Sequence, residues 1–225
     1  MTEMTVANEP ANKVYGGMLV GSALLSVLGA LHHPRVEVHE IGAVVRSLAG
    51  QATLIEGVHG ALLAIFFVQY AGFYGFARRL GLGRPLIAGG WILLSLGTFA
   101  MASAAAINGF ALPRFAADYA GLAPQDARAV VAVLKFSWAL NQAWAQIGAI
   151  AWGGAILLWS IALVRMAGLA RWLGFAGLGI ALVLVGGLLG GLFSLDVAGF
   201  VLVTSLLAAW AIGAGLLLIA ERVRS

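Results

Sequence analysis

The chain has 225 residues, of which 62% are hydrophobic and 10% charged, with a net charge of +4 and no cysteine. An average soluble domain is about 25% charged, and a soluble chain of this size has too much surface to hide so many apolar residues. Composition therefore excludes an ordinary soluble protein and points to an all-α integral membrane protein, while the missing cysteines exclude disulfides, thiolate ligands and thiol chemistry.

The first residues, MTEMTVANEPANK, lack the basic n-region of a signal peptide, so the first apolar segment is expected to be a retained helix. Six apolar segments follow, at about 14–31, 51–77, 86–110, 143–164, 172–193 and 198–220. Each has roughly the 20 residues a helix needs to cross a bilayer. The reading is a single membrane domain over 1–225, a six-helix transmembrane bundle.

Arg78, Arg79 and Arg84 follow the second segment, Arg165 and Arg171 the fourth, and Arg222 and Arg224 the sixth. The other loops are balanced or acidic. The positive-inside rule then places both termini in the cytoplasm and the first loop outside. A bacterial inner membrane, with that loop toward the periplasm, is the expected setting. The lipid bilayer is the main partner, and nothing suggests nucleic acid.

Two segments look longer than a bilayer. No helix breaker occurs between Pro124 and Arg165, so the fourth helix either starts near 125 and protrudes or is preceded by a surface helix. Val38, Ile41, Val44, Val45 and Leu48 repeat at helical spacing. They form either an interfacial helix or an extension of the second span. Asn108 and Gly109 before Pro113 read as a helix terminus, because Asn or Gly tolerates a left-handed cap and proline stops continuation. Asp196 is placed to cap the sixth span. Gly17-x-x-x-Gly21, Gly186-x-x-x-Gly190 and Gly187-x-x-x-Gly191 are candidate close-packing faces, within one bundle or between copies.

The chemistry-bearing residues concentrate around the first hairpin. Glu56 and His59 lie one turn apart on one helix face, and ionisable groups within a span are costly and usually partnered. His32, His33 and His39 lie just upstream. Together these five form a candidate metal site; nitrogen and oxygen donors suit copper, iron or zinc. The alternative for Glu56 and His59 is structural, a bond to a neighbouring helix and a donation to a backbone carbonyl. Haem b would need two facing imidazoles, His59 with His32 or His33. Covalent haem attachment is excluded by the absence of C-x-x-C-H.

A second polar set, Lys135, Asn141, Gln142 and Gln146, lies on the fourth helix. It is a candidate substrate-binding face for a quinone or another lipophilic small molecule, or a set of contacts between helices. Lys135, if buried, would need an acidic partner such as Asp118, Glu56 or Asp126. There is no P-loop, no H-E-x-x-H and no G-x-S-x-G. The functional expectation is a membrane protein binding a metal ion or haem in an outward-facing pocket, with a redox or metal-handling role. A small-solute or proton-coupled transporter is the first alternative. The second is a noncatalytic subunit or assembly factor, with a homo-oligomer or membrane-complex partner.

Overall fold

The structure is a computed structural model that describes residues 9–32, 41–121 and 127–220. Six of its helical segments are long and apolar enough to cross a membrane. Among the described residues there is no strand. Helix α1 spans Glu9–Leu31, α2 Ile41–Gly50, α3 Ala52–Leu80, α4 Pro85–Ala106, α5 Leu112–Tyr119, α6 Ala127–Leu163, α7 Leu169–Ala181, α8 Gly187–Leu189 and α9 Val197–Ile219.

The turns follow from local chemistry. Gly81 closes α3 at φ 96°, and Pro85 opens α4 at its first turn, where a missing N–H costs nothing. Gly168 and Gly191 also adopt positive φ, in the turns between α6 and α7 and between α8 and α9, a region open to glycine. Asp196 caps α9 as expected, its carboxylate accepting from the Gly199 N–H at 2.9 Å.

In the bundle, α1 packs against α3 and α9, α4 against α6, and α6 against α7. The core is aromatic toward the end that carries the arginines. Trp159 and Trp210 stack there with centroids 6.0 Å apart and planes 18° from parallel, flanked by Phe73 and Phe76. The Trp159 indole also donates to the Ile87 carbonyl at 3.1 Å. Close approach depends on glycine at one crossing in particular. A Cβ on Gly16 would meet the Gly215 carbonyl at 2.6 Å, and one on Gly215 would meet the Gly16 carbonyl at 2.7 Å. Gly17 and Gly21, by contrast, face open space.

Helix α6 is continuous over 37 residues, about 55 Å at 1.5 Å per residue. The hydrocarbon core of a bilayer is about 30 Å thick, so α6 extends beyond it by several turns. Helix α2 is a separate element, set off from α3 by the non-helical Gln51. It packs on α5, and Val45, Ala116 and Val130 form a small second core with Leu48, Phe115 and Leu134. This cap sits at the end of the bundle opposite the arginine turns.

One local expectation is corrected. The third span does not terminate at Asn108 and Gly109. The chain passes through a π turn, Ile107–Ala111, and continues as α5. Pro113 has no N–H and its ring crowds the carbonyl four residues back. The extra residue relieves this: the Leu112 N–H reaches the Ile107 carbonyl five residues away, and the helix continues without ending.

Candidate functional site

Between the cap and the bundle lies a cavity of about 790 Å³. Its walls come from α2, α3, α4 with its π turn, α6 and the start of α9. Leu62, Phe66, Met101 and Ala145 line it toward the bundle centre. His59, Asn108, Lys135, Asn141, Gln142 and Asp196 supply its polar lining.

Each polar group has an identifiable reason for its position. His59 is 4% exposed, and its Nδ1 donates to the Ile55 carbonyl at 2.9 Å. A carbonyl only accepts, so Nδ1 carries the proton and Nε2 is the basic nitrogen of the ring. The ring is braced by Gly109 in the π turn, where a Cβ would collide with the His59 Cβ and ring. The same turn brings Asn108 to the cavity wall. π turns are common at functional sites, because the inserted residue re-aims side chains.

Asn141 is 8% exposed. It donates to the Ala104 carbonyl at 2.7 Å, tying α6 to α4 just before the π turn. The Gln142 side-chain amide donates to the Asn141 Oδ1 at 3.4 Å. At the rim, the Asp196 carboxylate accepts from the Gly199 N–H and the Ser194 hydroxyl. These bonds hold its pKa below the usual carboxylate value, the Gly199 N–H most of all.

Depth follows from helix rise. His59 is twenty-one residues before Leu80 and Asn141 twenty-two before Leu163, about 32–33 Å along their helices. Asn108 and Asp196 are each twenty-three residues from the arginine-end termini of α4 and α9, about 35 Å. Four polar groups from four helical segments thus stand at similar distances along their helices from the arginine end, comparable with the thickness of a hydrocarbon layer, about 30 Å. Lys135, twenty-eight residues before Leu163, is about 42 Å along α6 from that end, farther than the thickness of a hydrocarbon layer of about 30 Å.

Below the cavity is a second void of about 20 Å³, lined by Gln69, Tyr70, Thr98 and Trp152 among others. Phe66 lines both spaces and meets Trp152 edge-on, with centroids 5.4 Å apart. The void is large enough for one water. Gln69 is 7% exposed and makes no direct hydrogen bond among the described residues. The Trp152 indole donates to the Thr98 hydroxyl at 3.2 Å, and Tyr70 shares a hydrogen bond with Ser95 at 2.9 Å.

The structure brings His59 together with Lys135, Asn141 and Gln142, which the sequence assigned to two separate constellations. Glu56 does not line the cavity; it pairs with Arg114 of α5 at 2.8 Å. Lys135 is therefore not partnered by Glu56, and it makes no ion pair among the described residues. His32 is exposed at the end of α1, with Nδ1 bonded to the Leu28 carbonyl at 2.9 Å. It does not line the cavity, and neither does the exposed Gln146. His33, His39 and Asp126 lie outside the described residues. Among the described residues, no three His, Asp or Glu side chains are grouped to hold a metal ion.

Sequence reasoning did not single out Gln69. A signal was present: it is a polar side chain in the middle of an apolar span. Comparison with known proteins finds no matching family model, curated protein or solved structure.

Proposed function

We propose that this chain is an integral membrane protein that binds a lipophilic small molecule with a polar head in the cavity beside His59. One observation carries this reading: a single cavity is apolar on the side that faces the hydrocarbon core and polar at the level of its edge. Its volume, about 790 Å³, falls within the 300–1,000 Å³ usual for small-molecule sites. Quinones and other chain-bearing molecules have this division into head and tail. His59, Asn108 and Gln142 are the hydrogen-bonding groups for the head, and Leu62, Phe66 and Met101 contact the chain. The arginine-rich turns supply the orientation, cytoplasmic at the arginine end, so the cavity opens outward. The role is handling of the bound molecule, including redox chemistry on it.

The test is mass spectrometry of the protein purified in mild detergent and of its organic extract. A stoichiometric lipophile in the wild type that is lost in Ala145→Trp, which fills the cavity, supports the reading. An extract identical in both proteins, containing only detergent and bulk lipid, refutes it.

A second reading is ligation of haem b or of a copper, iron or zinc ion by His59. Its support is the tautomer: with Nδ1 held by the Ile55 carbonyl, Nε2 is the nitrogen suited to a metal. His33 and His39 belong to this reading as further ligands. Elemental analysis and visible absorption of protein purified without a metal-affinity column test it. One equivalent of metal, absent from His59→Ala, is the expected result; background metal in the wild type rules it out.

The transporter alternative receives less support. Beyond Phe66 and Trp152 the void shrinks to the volume of one water, and below it the buried rings of Phe73, Phe76, Trp159 and Trp210 fill the bundle.

A further inference from the structure

The reading above leaves the charge of the head group open. We propose that the cavity selects an anionic amphiphile, with a carboxylate or phosphate head held by Lys135, and that it is admitted sideways from the bilayer between α6 and α9. The proposal rests on the lipophile-binding reading.

Lys135 is the starting point. It lines the cavity and has no acidic partner among the described residues. Glu56 on α3 and Asp196 at the start of α9 are already engaged. Glu56 is taken by Arg114. Asp196 is held by Ser194 and by the first turn of α9, whose positive end offsets its charge. Asp196 also lies about 7 Å deeper than Lys135 on the helix-rise scale. An anionic head at the level of Lys135 therefore stays clear of the carboxylate below it.

Level and ladder agree with this. Lys135, Trp138 and Gln142 follow one another at helical spacing on one face of α6. Trp138, 59% exposed, marks the interface, where tryptophan is enriched. On the helix-rise count the lysine reaches beyond a hydrocarbon layer of about 30 Å, to the level where lipid carboxylates and phosphates reside. A neutral carbonyl head would be served by His59, Asn108 and Gln142 at the hydrocarbon edge and would not use a cation about 9 Å farther out.

The opening follows from helix packing. Helices α6 and α9 meet through Trp159 and Trp210 at the arginine end and both line the cavity at the other end. Lys135, Trp138, Asp196 and Ala198 are exposed at that rim. On this proposal a molecule already in the bilayer enters past this exposed rim with its chain still in hydrocarbon.

The experiment is titration of the full chain, in nanodiscs of neutral phosphatidylcholine, with cis-parinaric acid, a fluorescent fatty acid, and with its uncharged methyl ester. The acid is expected to bind about tenfold or more tightly than the ester, the scale of one charge-assisted hydrogen bond. Lys135→Gln should bring the acid down to the ester's affinity and leave the ester unchanged, and Lys135→Arg should restore most of the difference. An alkyl phosphate that competes extends the class to phosphate heads; one that does not restricts it to carboxylates. Acetate and inorganic phosphate should fail to compete, because they lack the chain. Equal binding of acid and ester, unaffected by Lys135→Gln and abolished by Ala145→Trp, would overturn the anionic proposal and leave the lipophile reading standing. No binding of either probe would overturn both.

Discussion

Replacing Gly109 by alanine tests the geometry of the site at one methyl group. A Cβ at 109 collides with the Cβ and Cγ of His59 and comes to 2.9 Å of Cδ2, where carbon contacts normally settle at about 3.5–4.0 Å. Rotating the histidine does not help, because its own Cβ is struck and its ring is fixed by the Ile55 carbonyl. Helices α3 and α4 must separate by about 1 Å, and a gap of that size forfeits a quarter to a half of each contact across it. Overpacking of this kind costs about 1–3 kcal/mol. Alanine recovers about 0.5–1 kcal/mol of helix propensity. The net expectation is a loss of about 1–2 kcal/mol and weaker binding of any ligand that uses His59. The assay is unfolding in mixed micelles with sodium dodecyl sulfate, with Gly57→Ala as the internal control. Gly57 lies on the same helix as His59, and a Cβ there would meet nothing within 4 Å, so Gly57→Ala should be neutral or gain stability. A Gly109→Ala protein as stable as Gly57→Ala would refute the packing at His59.

Trp159→Ala should cost about 3–5 kcal/mol in the same assay, because the side chain is fully buried, whereas Trp172→Ala, 70% exposed, should leave the midpoint unchanged. Asp196→Ala should lower the stability of α9, and Asp196→Asn should retain most of it as an alternative cap. The carboxyl of Asp196 is held below its ordinary value of 3.8, so its contribution is complete above that pH and is lost as the pH falls through the lower folded value. Unfolding midpoints between neutral and strongly acid pH should therefore converge for wild type and Asp196→Asn; a constant difference would reject the cap. Arg114→Ala should change stability little, since the pair with Glu56 is solvent-accessible, and should leave ligand binding intact, because neither residue lines the cavity.

Much of the architecture was legible because each span announces itself locally. Six apolar runs, a proline at the start of α4 and an aspartate before α9 each fix an element without reference to the others. The protrusion of α6 was legible as one of two alternatives, since no breaker separates Asp126 from Arg165. What could not be read was which helix faces meet. The pairing of Gly16 with Gly215 joins residues of the first and last spans, while the spacing Gly17-x-x-x-Gly21 marks a face that the bundle leaves open. The π turn was misread for a related reason. Asn-Gly followed by proline has the local chemistry of a helix end, but the π turn accommodates Pro113 and the chain continues, with Gly109 packed on His59 from another helix. The site was legible as two lists and illegible as one place. Glu56 and His59 share a helix face by spacing, yet the partner of Glu56 is fifty-eight residues away, and the neighbours of His59 come from α4 and α6.

The shape of the interior bears on what kind of function this bundle can serve. A path for a solute needs polar groups through its full depth, or side chains that move aside cheaply. Along α3 the lining runs from His59 through Leu62 and Phe66 to Gln69 and then to Phe73 and Phe76. The polar character fades within ten residues, and the last two rings pack against Trp159 and Trp210. Aromatic side chains bury about 150–250 Å² each, so opening this floor would displace several such surfaces at once and leave the Ile87 carbonyl without the indole that satisfies it. Reaching the cavity from the bilayer needs no such rearrangement, because its rim is already exposed. The proposed lipophile site is accordingly a blind chamber that exchanges its contents with the membrane, and the aromatic floor argues against a conduit through the bundle. On that argument Phe66→Ala, which joins the two voids, should lengthen the chain the site accepts without making the protein conduct. A proteoliposome flux assay alongside a chain-length series would separate the two: solute flux through Phe66→Ala would mean the aromatic floor does not close the bundle.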